Sequence, residues 1–223
     1  MKGLYTQYYF TSWCWNLQIL SFALNGVVTL LAATDGRVIV QPTMMKWLLR
    51  ASFIINETSA ALSLFVSVVV RYILWPVGLK GHGSDSFKNI IPLLQHNVNV
   101  ILALSELLLL GGAPVRIDHV MFAPMFGIVY VVFVWVVRGK WMLSTTTGGE
   151  ERQVLQFPYF FLDTTLGPIT TFAIVGLLVI LFTFYSVLAL ASFLADAYLN
   201  DVGIVANICV VLGASFLICR FRD

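Results

Sequence analysis

The sequence predicts an all-α, polytopic membrane protein built as a bundle of about six membrane-spanning helices. Hydrophobic residues make up 59% of the 223 positions and charged residues only 11%, whereas soluble domains carry roughly 25% charged residues. Apolar segments long enough to cross the ~30 Å hydrocarbon core recur along the chain. A water-soluble globule of this size would need far more polar surface, so that class is excluded.

The apolar segments predict spans at residues 8–33, 45–75, 89–110, 119–137, 168–194 and 202–219, within one transmembrane domain over residues 1–223. The first span follows Lys2 as a signal peptide would. Its apolar run is longer than the roughly 7–15 residues of a signal peptide, so we interpret it as a helix of the bundle. Arg50 and Arg71 lie near the two ends of the second span, where long cationic side chains can reach the headgroups.

The remaining spans are separated by segments of loop composition. Gly-Gly-Ala-Pro at 111–114 ends the third span, and a polar stretch containing STTTGGEERQ follows the fourth. Gly167-Pro168 opens the fifth span, and Asp196, Asn200 and Asp201 separate it from a shorter sixth. The pattern therefore predicts six helices joined by polar turns.

Six spans place both termini on one side of the membrane. The termini and the loops on their side carry more Lys and Arg than the opposite loops, which predicts a cytoplasmic location for both termini, or the matrix side in an organelle. The residues counted on the terminal side are Lys2, Lys80, Lys88, Arg138, Lys140, Arg152, Arg220 and Arg222, against Arg37, Lys46, Arg50 and Arg116.

The third span carries an unusual number of polar side chains. On a helix, Gln95, Asn99 and Glu106 fall on one face, and His96 lies one i,i+3 step from Asn99. Ionisable groups are costly in hydrocarbon, so we expect this face to look into the bundle and to line a polar intramembrane cavity.

Several other site chemistries are absent from the sequence. A net charge of +2 and the lack of a basic run interleaved with aromatics argue against nucleic acid as a partner. The three cysteines form no CxxC pair, and there is no HExxH, P-loop, GxGxxG or GxSxG motif. We therefore predict no cofactor and no metal.

A set of short motifs extends over residues 9–195. The motif residues are His96 and Asn99, Glu106 seven positions on, PVR at 114–116, His119 with Pro124, Gly127 with Tyr130, and FPYFFLD ending at Asp163. As a set, these motifs resemble the rolling stone family of multi-pass membrane proteins. They are similar, more distantly, to the androgen-induced membrane hydrolases that cleave fatty-acid esters of hydroxy fatty acids.

The resemblance to the hydrolases implies a catalytic assignment. Those enzymes are described as using an intramembrane threonine on the first matching helix, which falls on Thr11, and the second histidine of an H-x-x-H pair. Here the second position is Asn99, which cannot accept a proton from a hydroxyl. His96 would then act as the base for Thr11, and Asn99 could donate to the oxyanion.

Two functions remain open from the sequence. One is a threonine-dependent lipid-ester hydrolase. The other is a non-enzymatic accessory subunit of a larger membrane complex, or an adhesion or fusion component, as rolling-stone-type proteins are thought to act. Membrane lipids are expected partners of both, and protein partners of the second. The expected supporting residues are Glu106 as an interhelical partner or ion site, Arg116 paired with Glu106 or Asp118, His119 at the interface, and Tyr130 and Asp163 as orienting residues.

Overall fold

Every regular element in the described part of the chain is helical, which confirms the predicted all-α class. The computed structural model describes residues 8–34, 42–76, 90–110, 114–137, 158–198 and 203–220. The helices are α1 (Phe10–Ala33), α2 (Pro42–Val69), α3 (Ile90–Leu108), α4 (Phe122–Val137), α5 (Pro168–Tyr198) and α6 (Ile204–Ile218). A short 3-10 turn at Ile117–His119 precedes α4, and two more at Phe160–Leu162 and Thr164–Leu166 precede α5. Helix α2 continues into a π-helical turn, Val70–Leu74.

Five of the described helical segments are long and apolar enough to cross a membrane: Phe10–Ala33, Met44–Leu74, Ile90–Leu108, Ile117–Val137 and Pro168–Tyr198. The sixth helix, α6, has 15 residues. At about 1.5 Å per residue it extends roughly 22 Å, which is shorter than the ~30 Å hydrocarbon core. The protein is therefore a multi-pass bundle in which α6 is a shorter apolar helix.

Several helix ends differ from the predicted bounds by a few residues. Helix α5 continues to Tyr198 rather than ending at 194, because Ala195 and Ala197 favour helix and neither Gly nor Pro intervenes. Gly167 and Gly203 precede α5 and α6 with φ values of 59° and 91°, a backbone conformation that glycine adopts without steric cost.

Helix α2 is the centre of the bundle and packs against α1, α3, α4 and α5. In an apolar 18-residue stretch of the span Met44–Leu74, 67% of the residues are buried, against 33% or less in the corresponding stretches of the other four spans. Helix α6 packs mainly on α3, and α4 packs on α5. A Cβ at Gly127 of α4 would lie 2.8 Å from Leu181 Cδ1 of α5, so glycine permits this close approach.

The orientation of the termini stays a prediction. Residues 1–7 and 221–223 lie outside the described residues, as do most of the Lys and Arg residues on which the positive-inside argument depends.

Candidate functional site

The polar face of α3 lies inside the bundle, as the sequence predicts. Asn99 is 0% exposed and Glu106 is 8% exposed. Glu106 contacts α1, where Asn25 Nδ2 donates a hydrogen bond to Glu106 Oε1. This face therefore packs against α1 and α2.

Helices α1 and α2 meet along a line of hydrogen-bonded polar side chains, here called the polar seam. The seam consists of Gln18, Ser21 and Asn25 on α1 and Ser52, Asn56 and Ser63 on α2. Ser63 Oγ donates to Gln18 Oε1 at 3.0 Å, and Ser21 Oγ donates to Asn56 Oδ1 at 2.9 Å. The bonded residues of the three pairs are 45, 35 and 27 positions apart along the chain, and this separation decreases toward the connection between α1 and α2. Antiparallel helices produce this pattern.

A second polar group, the Glu57 cluster, consists of Glu57, Arg116, His119 and Tyr185. Glu57 is only 2% exposed. Its carboxylate accepts from the Arg116 backbone N–H at 3.1 Å, from the Tyr185 hydroxyl at 2.9 Å and from His119 Nδ1 at 2.6 Å. The segment before α4 is therefore held against α2 and α5 by one buried carboxylate.

The expected partners of Arg116 and His119 are only partly found. Arg116 pairs with Asp118, Nη2 to Oδ2 2.6 Å, and both side chains are largely exposed. The hydrogen bond and charge of Asp118 raise the pKa of Arg116 above its ordinary value. The alternative pair with Glu106 is not formed, because Glu106 contacts Asn25. The His119 side chain is 13% exposed and binds Glu57, and its position at the membrane interface stays a prediction.

Thr11, the predicted nucleophile, lies half-buried in the first turn of α1. Its side chain forms a hydrogen bond with Tyr159, and burial raises the pKa of the Tyr159 hydroxyl well above its ordinary value. His96 lies in the second turn of α3, where its backbone carbonyl accepts from Ser67 Oγ. Catalysis by Thr11 and His96 stays a prediction.

Tyr130 and Asp163 anchor chain segments at the same end of the bundle. Tyr130 is buried, and its hydroxyl donates to the Tyr8 carbonyl at 2.8 Å. Asp163 caps the turn before α5, because its Oδ1 accepts from the Thr165 backbone N–H at 2.9 Å. The observed contacts of both residues are structural, and their role in orienting a functional site stays a prediction.

Asn97 is a residue whose role the sequence did not reveal. Its amide Nδ2 donates to the Arg220 carbonyl and its Oδ1 accepts from the Arg220 N–H, both at 2.8 Å. Arg71 donates to the carbonyls of Phe216 and Cys219 at the same helix end. The end of α6 is therefore fastened to α2 and α3.

A cavity of about 610 Å³, here called the apolar groove, lies between α5 and α6 and is bordered by α2 and α3. It lies on the side of α3 that contacts α6, away from the seam, and is therefore distinct from the predicted polar cavity. Ser192 is one of the few polar residues in the wall, and its Oγ accepts from the Val115 N–H at 3.0 Å, next to the Glu57 cluster. The lining includes Leu64, Leu104, Val187, Ala191, Ala195 and Ala214.

Metal-binding geometry is absent from the described ranges, where no group of three or more His, Cys, Asp or Glu side chains could hold an ion. Comparison with known proteins found no matching family model, no matching curated protein and no matching solved structure. The resemblance to the rolling stone family and to the hydrolases stays a prediction from the motifs.

Proposed function

We propose that this multi-pass membrane protein binds an amphiphilic lipid, with an acyl chain in the apolar groove and the polar part beside Ser192. The observation that carries the proposal is the cavity of about 610 Å³ within the helical bundle. Ligand pockets in proteins commonly measure roughly 300–1,000 Å³ and are lined mostly by apolar side chains. The groove fits both criteria.

Small side chains keep the groove open. Ala191 and Ala195 lie one turn apart on α5, and Ala214 lies on α6 across the groove. Their methyl groups leave space where leucine or phenylalanine would project into it. An acyl chain there would contact leucine and valine side chains from the bordering helices, which favours hydrocarbon over a polar ligand.

The edge of the groove at Ser192 supports an amphiphile rather than a plain hydrocarbon. Ser192 Oγ accepts a hydrogen bond from the backbone N–H of Val115. The next residue, Arg116, has a side chain that is 63% exposed. A cationic group beside the end of an apolar groove offers a contact for a polar headgroup. The acyl chain and headgroup would thus be recognised by adjoining surfaces.

The test uses protein in phosphatidylcholine nanodiscs and a fatty acid that carries a photoreactive diazirine in its chain. We expect Ala191→Trp and Ala214→Trp to lower crosslinking at least tenfold, because indole fills the groove. Ala197→Trp, on the exposed face of α5 outside the groove, is the matched control and should crosslink as the wild type does. Equal crosslinking by all four proteins would refute lipid binding in the groove.

A second candidate function is threonine-dependent hydrolysis of a lipid ester. The observation that favours it is Asn99, a buried amide whose Nδ2 has no partner among the described residues and which fits a donor to an oxyanion. Thr11 Oγ would bond to the carbonyl carbon while its proton passes to His96 and then to the leaving alkoxide. Water would hydrolyse the acyl-enzyme and regenerate the threonine.

A fluorophosphonate probe tests this candidate directly. We expect wild-type protein and a Thr29→Ala control to be labelled and Thr11→Ala to remain unlabelled. Folded wild-type protein that does not react would exclude the hydrolase. The accessory-subunit alternative stays a prediction, and recovery of the protein in a larger assembly would support it.

A further inference from the structure

Two fully buried side-chain amides have polar atoms without a partner among the described residues. They are Nε2 of Gln18 and both Nδ2 and Oδ1 of Asn99. Gln18 is 2% exposed and Asn99 is 0% exposed. Buried polar groups in native proteins are nearly always hydrogen-bonded, so these atoms indicate a ligand.

The two amides lie in the same layer of the bundle. Helix α2 is antiparallel to α1 along the polar seam. Ser67 of α2 contacts His96 near the start of α3, whereas Ser52 contacts Asn25, which in turn contacts Glu106 near the end of α3. Helix α2 is therefore antiparallel to α3 as well, so α1 and α3 run in the same direction. Asn25 of α1 contacts Glu106 of α3, 81 positions away. Two helical turns earlier, Gln18 and Asn99 are also 81 positions apart. A step of seven residues returns to the same helix face, so these two side chains face each other as well.

Ser63 fixes the direction of the Gln18 amide. Its Oγ donates to Gln18 Oε1 at 3.0 Å, which leaves Nε2 on the other side of the amide group. The site therefore presents two amide nitrogens that donate and one amide oxygen that accepts.

This combination selects one ligand chemistry. A carbonyl oxygen would pair with the two nitrogens and leave Asn99 Oδ1 unsatisfied. A cation would pair with the oxygen and face the two N–H groups. A hydroxyl oxygen accepts two hydrogen bonds and donates one, so it satisfies all three atoms.

We propose that Gln18 and Asn99 bind one O–H group in the interior of the bundle, supplied by a water molecule or by the hydroxyl of a lipid. The site lies between α1 and α3, whereas the apolar groove lies between α5 and α6, so this inference is independent of lipid binding in the groove.

Solid-state NMR of ¹⁵N-labelled protein in nanodiscs distinguishes the two sources. In nanodiscs of diacyl phosphatidylcholine, which has no hydroxyl group, a water ligand produces cross-peaks between water and both side-chain amides. A lipid ligand produces no such cross-peak there, and produces one to glycerol protons once diacylglycerol is added. The absence of cross-peaks in both preparations would overturn the proposal.

A variant pair ties the signal to the site. In Asn99→Leu we expect the ligand cross-peak of Gln18 to fall at least fivefold, because one nitrogen and the only oxygen of the site are lost. Asn207→Leu on α6 is the matched control and should retain it. An unchanged Gln18 cross-peak in folded Asn99→Leu would contradict joint binding, and the wild-type spectra decide the proposal if that variant does not fold.

Discussion

Glu57 is the acceptor that joins α2, α5 and the segment before α4, and its removal should loosen all three. Glu57→Ala removes the carboxylate bonds of the His119 ring, the Arg116 backbone N–H and the Tyr185 hydroxyl. Of these donors, the Tyr185 hydroxyl keeps a second acceptor, the Arg116 carbonyl at 3.0 Å. Hydrogen bonds between membrane helices contribute roughly 0.6 kcal/mol on average and up to ~1.7 kcal/mol each. Three bonds therefore predict a loss of about 2–5 kcal/mol in the free energy of unfolding.

The upper part of this range is expected for a physical reason. The acceptor is a carboxylate that is 2% exposed, and bonds to charged groups are about twice as strong as neutral ones. The donors also stay buried once the carboxylate is gone, which adds their desolvation cost. Glu57→Gln keeps the shape and one acceptor oxygen, so its loss should fall between the wild type and Glu57→Ala.

Asp118→Ala is the matched control, because Asp118 is a carboxylate in the same segment with a largely exposed side chain. Exposed ion pairs contribute little to stability. The assay is reversible unfolding in mixed micelles with increasing sodium dodecyl sulfate, followed by tryptophan fluorescence. A loss below about 1 kcal/mol for Glu57→Ala, or one no larger than that of Asp118→Ala, would refute the structural role assigned to the Glu57 cluster.

Three further changes test the packing of the bundle. Gly127→Ala adds a methyl group 2.8 Å from a leucine of α5 and should cost about 1–3 kcal/mol in the same unfolding assay. Gly176→Ala, where nothing lies within 4 Å, should be neutral, and equal losses for the two would contradict the close α4–α5 contact. Arg71→Ala removes the donor to the carbonyls of Phe216 and Cys219 at the end of α6 and should cost about 1–3 kcal/mol in the same unfolding assay; a cost near zero would contradict the attachment of this end to α2. Tyr130→Phe removes one buried hydrogen bond and should cost about 1 kcal/mol; a cost near zero would show that the bond contributes little to stability.

Most of the polar residues inside the bundle have hydrogen-bond partners on another helix. Glu106 meets Asn25, and Gln18 meets Ser63. Such pairs hold membrane helices together where the apolar faces do not distinguish a neighbouring helix from lipid. The Gln18–Asn99 layer departs from this pattern, because three of its atoms have no protein partner among the described residues.

The spacing of polar residues on α1 and α2 could have identified the polar seam from the sequence. Gln18, Ser21 and Asn25 recur every three or four positions, as do serines and Asn56 along α2. This is the period of one helix face. The contact between Glu57 and Tyr185 could not be identified in this way, because the two residues are 128 positions apart and Tyr185 lies among apolar residues.

The sequence by itself determined the membrane class, the approximate positions of the helices and the inward direction of the α3 polar face. These properties follow from composition and from helical periodicity, which are local along the chain. Only the tertiary structure decided which polar groups meet, as when Asn97 binds Arg220 at a separation of 123 positions. It also decided that the cavity lies between α5 and α6, since a groove exists only where helices diverge, and that depends on how their side chains pack.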